Sequence, residues 1–252
     1  MVYFVGAGPG DPDLITVKGK ALLEAADTVI YAGSLVNPKL LEYCRAGCEI
    51  YNSAHMTLEQ VILCMEHAYR DGKTIIRLHT GDPSIYGAIR EQIDELKRLS
   101  IPYEVVPGVS SFCGAAAALH AEYTLPGVSQ SVIITRLAGK TPVPVEEDLA
   151  ELAKHGASMA IFLSAGMVEK VCEKLLQGKY TVDTPCAIVY KATWPEEMVF
   201  RTNLGKLADC ARENEITKTA LILVGDFLGQ EYDRSLLYDP GFTTEYRKGI
   251  DV

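Results

Sequence analysis

Histidine and tryptophan are scarce in this chain of 252 residues, at five and one, and no apolar run reaches the roughly 20 residues of a membrane span. Positive charge is also in deficit: 24 Lys and Arg stand against 33 Asp and Glu, a formal net charge of −9. That balance argues against a general nucleic-acid binder, which needs a basic footprint for phosphates. Taken alone it also argues against a polyanionic small substrate. The seven cysteines include no C-x-x-C, and Cys44 and Cys48 have no nearby His or second pair. No H-E-x-x-H occurs, so no metal site is expected, and the thiols are expected reduced and mostly buried in a cytoplasmic protein. The start, MVYFVGAGPGD, has no basic n-region and runs at once into a glycine loop, so it reads as a first strand and not a signal peptide.

What is present describes a folded α/β protein. Hydrophobic residues make up 48% and charged residues 23%, and the length suits one large domain or two modest ones. In the first half, strands at Val2–Val5, Thr28–Tyr31, Glu49–Tyr51, Thr74–Leu78 and Tyr103–Val106 alternate with helices near 17–26, 57–71 and 87–99. Thr16 is placed to cap the first helix, and Leu58, Val61, Ile62, Met65 and Ala68 form one stripe on the second. Such alternation means βαβ units and a mostly parallel sheet. A Gly/Ala-rich helix from Ser111 to about 121 leads to the break at 123–127, where the domain boundary is expected: 1–122 and 123–252. In the second half, strands at Ser131–Thr135, Ser158–Leu163, Cys186–Tyr190 and Thr219–Val224 mix with helices near 146–154, 167–176 and 204–213. A Pro turn within 191–200 suggests a hairpin, hence a mixed sheet, and the tail from Gly229 is irregular.

Two familiar glycine motifs fail. Gly6-Ala7-Gly8-Pro9-Gly10-Asp11 follows a strand, but Asp11 stands where a helix-packing glycine belongs and would face a pyrophosphate. Gly139-Lys140-Thr141 ends like a Walker A loop, yet Ile134 occupies the place of its first glycine. More informative is HTGDPSIYG (79–87), and after the next strand Pro107-Gly108-Val109-Ser110-Ser111. Ligands of open α/β sheets sit outside the carboxyl ends of the strands. The loop GDPSIYG has no Lys or Arg, so the expected ligand is not a phosphate; backbone donors, hydroxyls and one carboxylate suit a ribose, an amide-like edge and a positive centre. No Ser-His-Asp or Cys-His arrangement stands out. Asp82, Tyr86, His79 and Lys191 are catalytic candidates by position alone, and a lone His after a strand, such as His79, is more often a packed or capping residue than a catalyst.

In this order the loops resemble the tetrapyrrole (corrin and porphyrin) methyltransferase family. The resemblance is carried by VYFVGAGPGDPDLITVKG (2–19), YAGSLV (31–36), RLHTGDPSIYGAI (77–89), VVPGVSSF (105–112), QSVIITRLAGKTPVP (130–144), AIFLSAG (160–166) and PCAIVYKATWPEE (185–197), and so covers nearly the whole chain. Four of these, YAGSLV, HTGDPSIYGA, TRLAGKTPVP and YKATWPEE, most resemble the branch that methylates C11 of precorrin-4 or cobalt-precorrin-4 in cobalamin synthesis. The resemblance implies two α/β domains with S-adenosylmethionine in the cleft between them, a homodimer, a tetrapyrrole substrate, and no nucleic-acid or membrane partner. Matched residue by residue, the implied cofactor contacts are Pro9, Thr80, Gly81, Asp82, Ile85, Ser110, Ser111, Leu163 and Ala192. Where some relatives place an acid after the second strand or a Lys after the third, this chain has Ala32-Gly33 and Ser53-Ala54. The alternatives are a C20 or C17 precorrin methylase, or a non-catalytic protein that binds S-adenosylmethionine or a corrinoid. A carboxylate-fringed substrate would need a locally basic lining on this acidic protein, for which Arg77, Arg136, Lys140 and Lys191 are the candidates.

Overall fold

The computed structural model describes residues 1–250. The chain divides into two compact units, one of Met1–Ala115 with Lys191–Glu197, the other of Ala116–Tyr190 with the chain from Met198 on. The sequence suggested a single cut between 122 and 123; the division instead falls inside a helix, and seven residues from much later in the chain join the first unit.

The first unit is built on five parallel strands: β1 (Val2–Gly6), β2 (Thr28–Tyr31), β3 (Glu49–Asn52), β4 (Ile75–His79) and β5 (Tyr103–Val106), ordered β3-β2-β4-β1-β5. Period-two alternation sends Val2, Phe4, Ile30 and Ile75 to one face and Val5, Val29, Ile76 and Leu78 to the other. Helices α2 (Leu58–Arg70) and α3 (Ile89–Arg98) cover the first face through Val61, Ile62, Met65 and Leu96. The other face is covered by α1 (Val17–Glu24), through Leu23, and by the 3₁₀ turn Pro38–Tyr43, through Leu40. Burial on both faces is why these strands read as near-continuous apolar runs. Thr16 caps α1 as its position suggests, its Oγ1 accepting the Gly19 N–H at 3.0 Å. On α2, Thr57 and Gln60 form a reciprocal capping box, at 3.4 and 2.8 Å. A further helix, α4 (Ser111–Leu119), stops at His120, whose φ of 48° is left-handed.

The second unit holds β6 (Val132–Arg136), β7 (Ser158–Phe162), β8 (Pro185–Tyr190), β9 (Met198–Asn203) and β10 (Ala220–Val224), ordered β6-β7-β10-β8-β9. Only β6 and β7 pair in parallel; the remaining pairs are antiparallel. Helices α5 (Leu149–Ala153), α6 (Val168–Leu175) and α7 (Leu207–Glu213) close one core with Ile161, Ile188 and Ile222. The hairpin expected within 191–200 forms instead between β8 and β9, with Tyr190 opposite Met198 and 191–197 left outside the pairing. Pro195 has no N–H to give a ladder, and Lys191 and Thr193 take left-handed φ values of 47° and 68° that no strand allows. Among the described residues no helix is long and apolar enough to cross a membrane.

Candidate functional site

Because β4, β1 and β5 are neighbours, the three glycine loops at their carboxyl ends lie side by side. The Ala7 N–H donates to the His79 carbonyl at 2.7 Å, and Gly8 and Gly81 exchange both backbone hydrogen bonds, at 3.3 and 2.9 Å. Glycine is required where they cross. A Cβ on Gly6 would lie 2.5 Å from Gly108 Cα and 2.6 Å from the Gly81 oxygen, both fixed backbone atoms. Gly81, at φ 61°, lies against Ser110 and Ser111, 3.5 Å from its would-be Cβ to Ser110 Cα and Ser111 N.

Asp82 fastens two of these loops together. Its Oδ2 accepts the Gly108 N–H at 2.8 Å, and its Oδ1 accepts both the N–H of Ser84, at 2.8 Å, and the Ser84 hydroxyl. Partial burial acts to raise the carboxyl pKa, but the bonds from the Ser84 hydroxyl, Gly108 N–H and Ser84 N–H together hold it below the usual aspartate value. A carboxyl depressed on folding stabilises the protein above its unfolded pKa of 3.8, and the contribution is lost as pH falls below that value. Asp82→Ala is therefore expected to cost about 1.5–3 kcal/mol in urea unfolding at neutral pH, with the difference from wild type shrinking below pH ~4. A constant difference across that range would contradict this account.

Left-handed backbone at non-glycine residues occurs in one of these loops and at several other places. Tyr86 (φ 55°) and Ala88 (φ 48°) flank Gly87 in the loop after β4; Lys191 and Thr193 flank Ala192; and Leu163, in the second unit after β7, has φ 52° with 64% of its surface exposed. Non-glycine residues in this conformation persist only where their surroundings hold them, and such positions cluster at ligand sites. Four more, Ser100, His120, Glu215 and Thr219, lie elsewhere.

Several expected site residues lie elsewhere than anticipated. His79 is 3% exposed and its ring lies 5.9 Å from that of Phe4; burial, reinforced by the Arg77 charge, lowers its pKa to about 3. It is a neutral packed residue, without the exposure or basicity of a catalyst. Arg77 is 6% exposed, its Nε donating to Gln92 Oε1 at 3.0 Å and its Nη1 to the Ile30 carbonyl at 3.1 Å. A central parallel strand turns both faces inward, so Arg77 bonds within the core and is not a surface cation for substrate carboxylates. Arg136 donates to the carbonyls of Leu137, Thr141 and Pro142 at 3.4, 3.2 and 2.6 Å, folding the loop that carries the exposed Lys140. These bonds shape that loop. The Lys191 ammonium is 5.5 Å from the Trp194 ring centroid and 3.7 Å from Glu196 Oε2.

The sequence reading missed a second layer around the first loop. The Trp194 indole N–H donates to the Pro9 carbonyl at 3.1 Å, Asn37 Nδ2 donates to the Gly10 carbonyl at 2.7 Å, and Thr193 Oγ1 accepts the Asp11 N–H at 3.0 Å. The indole lies so close to Gly10 that any Cβ there would collide with it. A lone tryptophan beside a proline, in a segment too polar for the core, was the available signal.

Residues 1–208 match the sequence profile described as Tetrapyrrole (Corrin/Porphyrin) Methylases. The chain belongs to that family. Among similar tetrapyrrole methylases, the cobalt-precorrin-4 C(11)-methyltransferase of Methanocaldococcus jannaschii is 55% identical over 248 residues, 98% of this chain and 96% of that protein. The X-ray structure of a cobalamin biosynthetic enzyme, cobalt precorrin-4 methyltransferase, superposes with a TM-score of 0.89 at 48% identity, covering 91% of this chain and 96% of that one. Uroporphyrin-III C-methyltransferase from Thermus thermophilus, solved with S-adenosyl homocysteine, gives a TM-score of 0.76 at 28% identity, covering 90% and 93%.

Within this tetrapyrrole methylase, eight of the nine implied cofactor contacts lie in the first unit, and the loop bonds above gather Pro9, Thr80, Gly81, Asp82, Ser110 and Ser111 at one end of the sheet. The Thr80 hydroxyl is buried there without a hydrogen-bond partner in the protein. A buried hydroxyl left unpaired is costly unless a ligand completes it. Where other tetrapyrrole methylases were expected to carry an acid or a Lys, Gly33 and Ala54 pack together, a Cβ on Gly33 falling 2.8 Å from that of Ala54.

Proposed function

We propose that this protein is an S-adenosylmethionine-dependent methyltransferase that methylates C11 of cobalt-precorrin-4 or precorrin-4, giving the corresponding precorrin-5A in cobalamin biosynthesis. The observation that carries this reading is end-to-end similarity, at 55% identity over 98% of the chain, to a cobalt-precorrin-4 C(11)-methyltransferase. The donor set supports the cofactor: Thr80 and Ser110 offer hydroxyls, Gly81 and Ser111 offer backbone close to one another, and Asp82 adds one carboxylate. These groups, with Pro9, Ile85 and Ala192, would hold S-adenosylmethionine. When bound, that cofactor supplies a methyl group activated on a sulfonium.

The chain's own contribution is alignment. Fixed loops hold the reacting partners in line and keep water out, which can supply much of the rate without a strong side-chain base. The small residues at Ala32-Gly33 and Ser53-Ala54 agree with this, since neither place offers an ionisable group. Asp82 belongs to the cofactor cradle, and Tyr86, 46% exposed on a strained backbone, faces solvent from the same loop. Lys140 is the cation that the loop folded by Arg136 presents for substrate carboxylates. The free thiols fit a cytoplasmic setting, and exposed Leu236, Leu237 and Tyr238 fit a homodimer, testable by sedimentation.

The decisive assay incubates the purified protein with S-adenosylmethionine and the precorrin-4-level substrate, with and without cobalt. One added methyl, located by NMR at C11, is expected. Methylation at C20 or C17 would assign the protein to another step, and tight cofactor retention without transfer to either tetrapyrrole would make it a binding protein.

A further inference from the structure

The strap Lys191–Glu197 carries Ala192, which is 6% exposed, between two residues of left-handed backbone. For Thr193, a β-branched residue at φ 68°, that conformation is unfavourable by itself and must be imposed by neighbours. Two bonds impose it. The Thr193 N–H donates to Glu197 Oε2 at 2.6 Å, and Thr193 Oγ1 accepts the Asp11 N–H at 3.0 Å. Backbone bonds from Trp194 N–H to the Lys191 carbonyl and from Glu197 N–H to the Trp194 carbonyl, both 3.0 Å, close the strap into successive turns. The Trp194 indole then fixes those turns to Pro9. Helix α4 supports the arrangement: a Cβ on Gly114 would lie 3.1 Å from Thr193 Cγ2 and 3.2 Å from Pro9 Cβ, so the three segments meet where only glycine leaves room.

Of these holds, the Glu197 carboxylate is the one that acts on the strained residue from within the strap. An ionised acceptor makes a shorter and stronger bond to a backbone N–H than a neutral one does. The geometry points to a role that sequence position alone did not suggest: we propose that Glu197 is a positioning residue, which through the Thr193 N–H sets the left-handed turn that presents Ala192 to the methyl donor. It governs affinity for the donor and leaves affinity for the tetrapyrrole nearly untouched. The inference rests on the donor-binding reading of these loops.

The test uses the full chain and S-adenosylhomocysteine as probe, with the dissociation constant measured by calorimetry, the tetrapyrrole KM by methyl-transfer assay, and the melting temperature. Glu197→Ala is expected to weaken S-adenosylhomocysteine about tenfold, equivalent to about 1.4 kcal/mol, with tetrapyrrole KM within about twofold of wild type. Glu197→Gln keeps an oxygen acceptor and should lose only about two- to threefold. Adding Thr193→Asn to Glu197→Ala should recover several-fold in affinity, because asparagine tolerates the left-handed backbone far better than threonine. Unchanged S-adenosylhomocysteine affinity in Glu197→Ala would overturn the inference. Equal losses for both ligands with a lowered melting temperature, and no recovery in the double variant, would also overturn it, since that is the pattern of a merely structural residue. A wild-type protein that binds no S-adenosylhomocysteine would instead sink the donor reading itself, and this inference with it, before any variant is compared.

Discussion

Gly6→Ala is expected to cost ~3 kcal/mol or more of stability and to abolish cofactor binding. The new Cβ would sit 2.5 Å from Gly108 Cα, 2.6 Å from Gly108 N and 2.6 Å from the Gly81 oxygen. None of these is the flexible end of a side chain. Relief requires the loops after β4 and β5 to separate from β1, and that separation pulls the Gly108 N–H away from Asp82 Oδ2. Gly72→Ala supplies the control: φ there is 73° but nothing lies within 4 Å, so the change should cost only the left-handed strain, about 1–2 kcal/mol. Thermal melts with and without S-adenosylhomocysteine would compare the two. Gly6→Ala melting no lower than Gly72→Ala would contradict the crowded crossing.

The second large effect is a loss of stability in mild acid that comes from His79. In the folded protein its imidazole titrates at about 3, against 6.5 when free, because burial and then the neighbouring Arg77 disfavour the charged form. Above pH ~6.5 the ring is neutral in both folded and unfolded chains and contributes nothing to the pH dependence. As pH falls below that value the unfolded chain binds a proton that the folded chain refuses, so stability falls until about pH 3. Across the whole window the loss approaches about 5 kcal/mol. His79→Phe, which keeps a flat ring beside Phe4, should flatten the pH dependence of urea unfolding between pH 6 and 4. An equally steep slope in the variant would assign the acid lability to other groups.

Much of this architecture was legible in the residues. The alternation of apolar runs with helical stripes located the strands of both sheets to within a few residues, except β9, whose place was expected to be a hairpin within 191–200, and Thr16 marked the start of α1 through its cap. The three loops at adjacent strand ends followed from their order, because glycine and proline punctuate a chain whatever surrounds them. Arg77 was misread for a physical reason, whereas His79 is the packed residue that a lone histidine after a strand more often is. A charged or titratable side chain beside a glycine loop resembles a site residue until the partner that buries it is known, and Gln92, which receives Arg77, lies on a different element. The strap was illegible for another reason: the bond between Thr193 and Asp11 joins residues 182 positions apart, and no local pattern records it. The left-handed backbone at Thr193 is likewise held by a tertiary contact, on a residue type that does not prefer it.

That strap sets the order of events during synthesis. The first 115 residues carry all five strands of their sheet, but Lys191–Glu197 follow only after the 75 residues from Ala116 to Tyr190. At ~5–20 residues per second this is a delay of roughly 4–15 s. During that interval the nascent chain has every strand of the first sheet but lacks the Trp194 and Thr193 bonds to Pro9 and Asp11 of the first loop. A gene fragment ending at residue 122 would hold the protein at that stage, with the loop awaiting a clasp that is never translated.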